Sequence, residues 1–164
     1  QMNRYMSQAK ACRASTMWYC PQCFNWANYN REKRADRAKY LTAEEPDVHR
    51  MTAIALLYAS HGVKGFIFYM YDDVFTGPVP ELYEKRWADV CETARIMKSL
   101  EPFVLSSVPR ETVAAENRKG SVRVTVMRDG LGGIRVLVVG LDYENEAVFT
   151  LPGDCRDLRS TFGN

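Results

Sequence analysis

Residues 65–70, Gly-Phe-Ile-Phe-Tyr-Met, form an uninterrupted apolar run that stops on Tyr71, Asp72 and Asp73. Consecutive apolar positions mark a strand covered on both faces, as in parallel sheets flanked by helices. Parallel strands carry their chemistry at their C-terminal ends, so the carboxylates lie where a ligand would be met. Either aspartate can instead cap the following turn. A second run, residues 17–24, is aromatic-rich and ends in amides and an indole, with Gln22, Asn25 and Trp26 at its tip.

The second run also contains Cys20-Pro-Gln-Cys23, the spacing of a dithiol redox motif. Such a motif needs a helix opening at its second cysteine, yet residues 24–30 are turn-like and rich in Asn. As a zinc site it is half of one: Cys12, Cys91 and Cys155 are scattered, and His49 and His61 fall on a helix and its cap. Five cysteines leave at least one thiol without a partner in the chain. No phosphate-cradling glycine loop, Ser-His-Asp order or nucleic-acid motif is present. The expectation is no metal, no cofactor and no nucleic-acid partner, with a dithiol redox protein as the lesser alternative.

The elements that must position these residues alternate. Met2, Tyr5, Met6, Ala9 and Cys12 have helical spacing, so a helix precedes the first strand and ends at Arg13 to Thr16. Because the chain opens inside this pattern, it reads as a piece of a longer polypeptide. Residues 27–41 are polar and long for a connection. Arg31, Lys33, Arg34, Arg37 and Lys39 crowd this segment against Glu32 and Asp36, which suits a solvated loop or attraction of an anionic substrate. Thr42-Ala43-Glu44-Glu45 has the form of a capping box. The helix it would open buries Val48, Met51, Thr52, Ala55, Leu56 and Ala59, with Gly62 as a left-handed cap before a strand over 63–71. A further helix over 81–100 carries Tyr83, Trp87, Val90, Ala94, Met97 and Leu100 as its stripe. Helix, strand, helix, strand, helix is the order of a parallel α/β layer.

Beyond Pro102 the pattern becomes antiparallel. Val122, Val124 and Val126 alternate with Arg123, Thr125 and Met127. Asp129-Gly130 and Gly132-Gly133 make a turn, and further strands lie at 134–141 and 147–151. The expected organisation is an α/β part over 1–105, a linker over 106–119 and an antiparallel β module over 120–164. Two parallel strands would leave apolar edges unpaired, so their neighbours are expected upstream in the same polypeptide. The net charge of +2, from 22 basic and 20 acidic residues, is too small to specify a polyanionic partner by itself. The longest apolar runs fall well short of the roughly 18 residues of a membrane span.

In this order of elements the chain resembles the end of a glycoside-hydrolase-type (β/α)8 barrel, a TIM barrel, followed by a small β-sandwich. Residues 18–26 take the place of strand seven, 42–62 its helix, 65–73 strand eight, 87–102 the last helix and 122–151 the C-terminal sheet. The resemblance implies an oligo- or polysaccharide at the open face of the barrel, and slightly favours a secreted or periplasmic protein. Trp26, Tyr69 and Tyr71 would stack on sugar rings, while Gln22, Asn25, Asp72 and Asp73 would take hydroxyls. Glycoside hydrolysis needs two carboxylates. Many such barrels carry a glutamate at the strand-seven tip, where this chain has Gln22 and Asn25. The working acids are therefore expected outside the segment, with Asp72 the candidate inside it. The alternative is a non-catalytic sugar-binding or scaffold protein on the same fold.

Overall fold

The computed structural model describes residues 16–156 and Arg159. The helix expected over the first residues, with Cys12, lies outside them. The chain divides into two units, residues 1–105 and 106–164. Among the described residues helices are mixed with small sheets, none of which closes on itself.

In the first unit, β1 (Trp18–Tyr19) and β2 (Gly65–Phe66) pair in parallel, Trp18 beside Gly65 and Tyr19 beside Phe66. The ladder continues past both strands. The Ile67 amide donates to the Tyr19 carbonyl at 2.9 Å, the Tyr69 amide to Pro21 at 3.4 Å and the Cys23 amide to Tyr69 at 3.3 Å. The rung that this spacing would run from residue 21 to residue 67 has no donor, because proline lacks an N–H. Regular strand is accordingly shorter than the expected 63–71. It gives way at Met70 to a short helix, so Tyr71, Asp72 and Asp73 sit on a helical turn rather than on the strand.

The stretch 27–41, expected as a loop, folds as a 3-10 turn (Trp26–Tyr29), α1 (Arg31–Ala35) and α2 (Arg37–Tyr40). Each piece is opened by a short polar side chain accepting from a backbone amide of its first turn: Asn25 from Ala27, Asn30 from Lys33, and Asp36 from Ala38. Three caps, five or six residues apart, turn a polar segment into ordered helical turns.

The next helix, α3 (Val48–Ser60), does not start at the Thr42 capping box. Pro46 disfavours helical backbone at Glu45, and the cap is Asp47, accepting from the Arg50 amide at 2.8 Å. The Thr42 hydroxyl donates to the Lys39 carbonyl instead. The buried positions Met51, Thr52, Ala55 and Ala59 follow the expected stripe. The helix ends as expected on Gly62, at φ 101°. The Gly62 amide donates to Ala59 and the Val63 amide to Tyr58, the paired bonds of a Schellman cap.

After α4 (Tyr71–Val74) and a 3-10 turn (Pro80–Leu82) comes α5 (Tyr83–Ser99), continued by α6 (Glu101–Leu105). Its buried face is rotated from the one expected: Arg86, Val90, Thr93, Ile96 and Met97 are inside, while Trp87 and Ala94 are exposed. Apolarity alone misplaces the stripe because an arginine and a threonine occupy core positions, each hydrogen-bonded there.

The helices cover one face of the β1–β2 pair. Cys23, Met51, Val74 and Val90 form a buried cluster with Phe68 against it, and Tyr19 stacks on Tyr58 of α3. On the opposite face Trp18, Ile67 and Tyr69 are exposed by 64, 57 and 49%.

In the second unit, β3 (Glu111–Val113), β5 (Val122–Arg128) and β6 (Ile134–Gly140) form one antiparallel sheet, and β4 (Ala115–Lys119) pairs antiparallel with β7 (Glu146–Phe149). The stretch 106–119, expected as a linker, thus carries two strands. Its charged and small residues read as a linker because β4 is largely exposed. The β5–β6 turn is built on Asp129, whose carboxylate accepts from the amides of Leu131 and Gly133. Gly130 and Gly132 supply the positive φ that this turn needs. The alternation in β5 does not give one wet face: Thr125 and Met127 are as buried as Val124 and Val126. Among the described residues no helix is long and apolar enough to cross a membrane.

Candidate functional site

At the C-terminal ends of β1 and β2 the chain gathers four aromatic rings. Phe24, 4% exposed, lies at the centre. Its ring centroid is 5.1 Å from Trp26, 5.3 Å from Tyr29 and 6.1 Å from Tyr69, all in edge-on contact. Trp26 and Tyr29 are themselves 5.9 Å apart. The three outer rings are about half exposed or more. They therefore offer apolar faces to solvent from a base that cannot easily collapse.

Hydrogen bonds hold this rim. The Trp26 indole N–H donates to Gln22 Oε1 at 2.6 Å, and Gln22 Nε2 donates to the Phe24 carbonyl at 2.6 Å. Gln22, expected to meet a ligand hydroxyl, thus fixes the orientation of Trp26. Asn25 is 1% exposed; its oxygen caps the 3-10 turn and its nitrogen donates to Glu45 Oε2 at 2.9 Å. Asp73 is also buried. Its carboxylate accepts from the Tyr29 hydroxyl, and its carbonyl accepts from Asn28 Nδ2 at 3.0 Å. The hydrogen bond it donates to that carboxylate pushes the Tyr29 hydroxyl up to about 12, and losing the proton would also set a phenolate against an anion.

Under the rim lies a polar network. Tyr40 donates its hydroxyl to Asn28 Oδ1 at 2.7 Å and accepts from Arg86 Nη2 at 3.0 Å. Arg86, 2% exposed, grips Glu45 with two of its nitrogens and donates to the Thr76 carbonyl at 3.1 Å. Glu45 in turn holds Asn25. A chain of contacts thus runs from α5 through Glu45 and Asn25 to the turn that carries Trp26 and Tyr29.

Of the residues singled out in the sequence, Gln22, Trp26 and Tyr69 come together at the rim, with Asn25 and Asp73 beneath it as structural members. Tyr71 belongs to a separate group, its ring 5.0 Å from Phe75 and 5.4 Å from Trp87. Asp72 is exposed. Adjacent aspartates part company because a helical turn points one inward and one outward. Residues that the sequence did not single out are Tyr29, Asn28, Tyr40 and Arg86, and Glu45 was read only as part of a helix cap. Tyr29 had a signal, lying three residues after Trp26 and so on one face of a short helical turn.

The dithiol pair does not share an environment. Cys20 is exposed and Cys23 buried, and the Cys23 thiol donates to the Tyr69 carbonyl at 3.0 Å. Burial pushes the Cys23 thiol up to about 11, so the reactive thiolate is absent near neutrality. Native protein treated with iodoacetamide at pH 8 is expected to carry the label on Cys20 and none on Cys23. Cys23 becomes labelled in urea, or as the pH climbs toward 11. Peptide mass spectrometry reads this, and equal labelling of the two in the native state would restore the redox reading. Among the described residues no group of three or more His, Cys, Asp or Glu side chains is placed to hold a metal ion.

Comparison with known proteins finds no matching family model, no matching curated protein and no matching solved structure.

Proposed function

We propose that residues 1–105 supply closing β/α units of a carbohydrate-active barrel of the glycoside-hydrolase type, and that Trp26, Tyr29 and Tyr69 form a sugar-binding rim at its open end. The observation that carries this is the parallel β1–β2 pair. Helices cover one face, an apolar face is left open, and exposed aromatics gather at the C-terminal ends of the strands. In a barrel the open face is the interior, filled by side chains from this pair and from further strands of the same polypeptide. The aromatics are then on the rim, where the C–H faces of sugars stack on rings.

Within this chain the role is holding sugar rather than breaking its bonds. Hydrolysis needs two carboxylates either about 5 Å or about 6.5–9.5 Å apart. Here Gln22 stands at one tip and the Asp73 carboxylate is committed to Tyr29. Asp72 is the exposed carboxylate left at the other tip, and a partner acid would come from another strand. The same observations favour the second reading, a non-catalytic sugar-binding protein on this fold.

The test is a panel of oligosaccharides titrated against the chain, followed by tryptophan fluorescence and by product analysis. Trp26→Ala is expected to weaken binding about tenfold or more, and Trp26→Phe to keep most of it, because a stacked ring contributes about 1 kcal/mol beyond its area. Binding without turnover supports the non-catalytic reading for this chain. Unchanged affinity in Trp26→Ala would remove the rim from the site.

A further inference from the structure

We propose that the glycan held at this rim is acidic, its carboxylate or sulfate groups met by Arg31 and Arg34. This rests on the carbohydrate reading above and adds the class of substrate. A cleft of about 360 Å³ opens beside the rim, lined by Asn28, Tyr29, Arg31, Arg34 and Ala35. Tyr29 belongs to both: its ring packs on Phe24 and Trp26, and its residue lines the cleft. A sugar stacked on the rim therefore has its neighbouring unit, or its own substituent, beside the arginines.

Arg31, Arg34 and Ala35 stand at i, i+3 and i+4 on α1, which places them on one side of that helix. The helix is held at its start by Asn30, and the preceding turn is anchored through Asn28 to Asp73. The two guanidinium groups are thus carried on a positioned element.

The pairing of charges points the same way. Arg37, Arg50, Lys85, Arg86, Arg95 and Lys98 each sit on a carboxylate. Among the described residues, Arg31 and Arg34 form no ion pair, even with Glu32 on the same helix. Unpaired cations on a capped helical turn beside stacking rings suit a ligand that brings its own anions. A guanidinium presents a planar fork of donors matched to a carboxylate or sulfate, and gives up its water more readily than an ammonium. A neutral sugar would leave both forks unused.

The experiment compares three probes of equal length against the whole chain at low and moderate salt: a neutral cello-oligosaccharide, an oligogalacturonate and a sulfated oligosaccharide. The expected result is at least tenfold tighter binding of an acidic probe than of the neutral one, with affinity falling as salt rises. The carboxylated and sulfated arms tell which anion is preferred. The double substitution Arg31→Ala, Arg34→Ala is expected to erase that preference and its salt dependence while leaving neutral binding within about twofold. Arg34→Lys should keep part of the preference. Both arginines are exposed, so the variants should fold, and an unchanged tryptophan spectrum checks this.

If neutral sugars bind through Trp26 but the acidic ones gain nothing, this inference fails and the carbohydrate reading stands. If no glycan binds, both fail. Acidic binding that survives the double substitution, or equally tight binding of a single-stranded oligonucleotide of the same charge, also overturns it.

Discussion

Glu45→Ala is expected to lower the stability of the first unit by about 3–5 kcal/mol, the usual cost of stripping a buried ion of its partner. Arg86 is 2% exposed, and Glu45 accepts from its Nε and Nη2. Without that carboxylate the guanidinium keeps the Tyr40 hydroxyl and the carbonyls of Thr76 and Val74, but its charge loses its counterion. The substitution also removes the acceptor of Asn25 Nδ2. The loss therefore reaches the turn carrying Trp26, and the sugar affinity proposed for the rim should fall although Glu45 lies beneath it. Glu45→Gln, which exchanges one acceptor for a donor, should fall between. Urea denaturation followed by tryptophan fluorescence measures this cleanly, because Trp18, Trp26 and Trp87 all lie within residues 1–105. A cost under about 1 kcal/mol would mean that water reaches Arg86 in the variant, and the network would then be less closed than its geometry implies.

Gly77→Ala should cost about 3 kcal/mol by a different mechanism. Gly77 adopts φ 116°, a backbone conformation that a residue with a Cβ reaches only at about 1–3 kcal/mol. The added methyl would lie 2.7 Å from the Tyr40 hydroxyl and 2.8 Å from its Cζ. Tyr40 is fully buried and held by Asn28 and Arg86, so it has no room to retreat. Crowding of that kind adds a further 1–3 kcal/mol or so. Gly65→Ala makes the comparison: its Cβ would lie 2.6 Å from the Trp18 indole, but that ring is 64% exposed and can swing away. Gly65→Ala should cost clearly less than Gly77→Ala in the same urea titration, and the reverse order would contradict this account. Because Gly77 and Glu45 press on one network through Tyr40 and Arg86, their double variant should be non-additive.

Much of the order of elements was legible in the sequence. The apolar run at 65–70 and the aromatic run at 17–24 are read correctly as parallel neighbours, because an apolar strand followed by a helix has few other homes, although one face of the pair is open. The Gly62 cap and the stripe of α3 were legible because a 3.6-residue period and a residue at positive φ are local properties. The strands after Val122 were legible from β-branched alternation.

The misreadings share a cause. Thr42 and Glu45 have the spacing of a capping box, but Pro46 denies helical backbone there, and the Glu45 carboxylate is drawn to Arg86, 41 residues away. Arg86 was invisible because a buried arginine is disfavoured until its partners are assembled, and those partners, Glu45, Tyr40 and the carbonyl of Thr76, come from separate segments. The α5 stripe was rotated for the same reason.

By itself the sequence determined the main helices and strands, their order and the two tips at which aromatic and acidic residues are gathered, because periodicity, caps and turn residues act over a few positions. The tertiary structure alone decided which tip residues face outward. Gln22, Asn25 and Asp73 became supports, Trp26 and Tyr69 stayed open, and Tyr29 joined them beside two unpaired arginines. That division depends on hydrogen-bond partners distant in sequence, whose geometry no local pattern records.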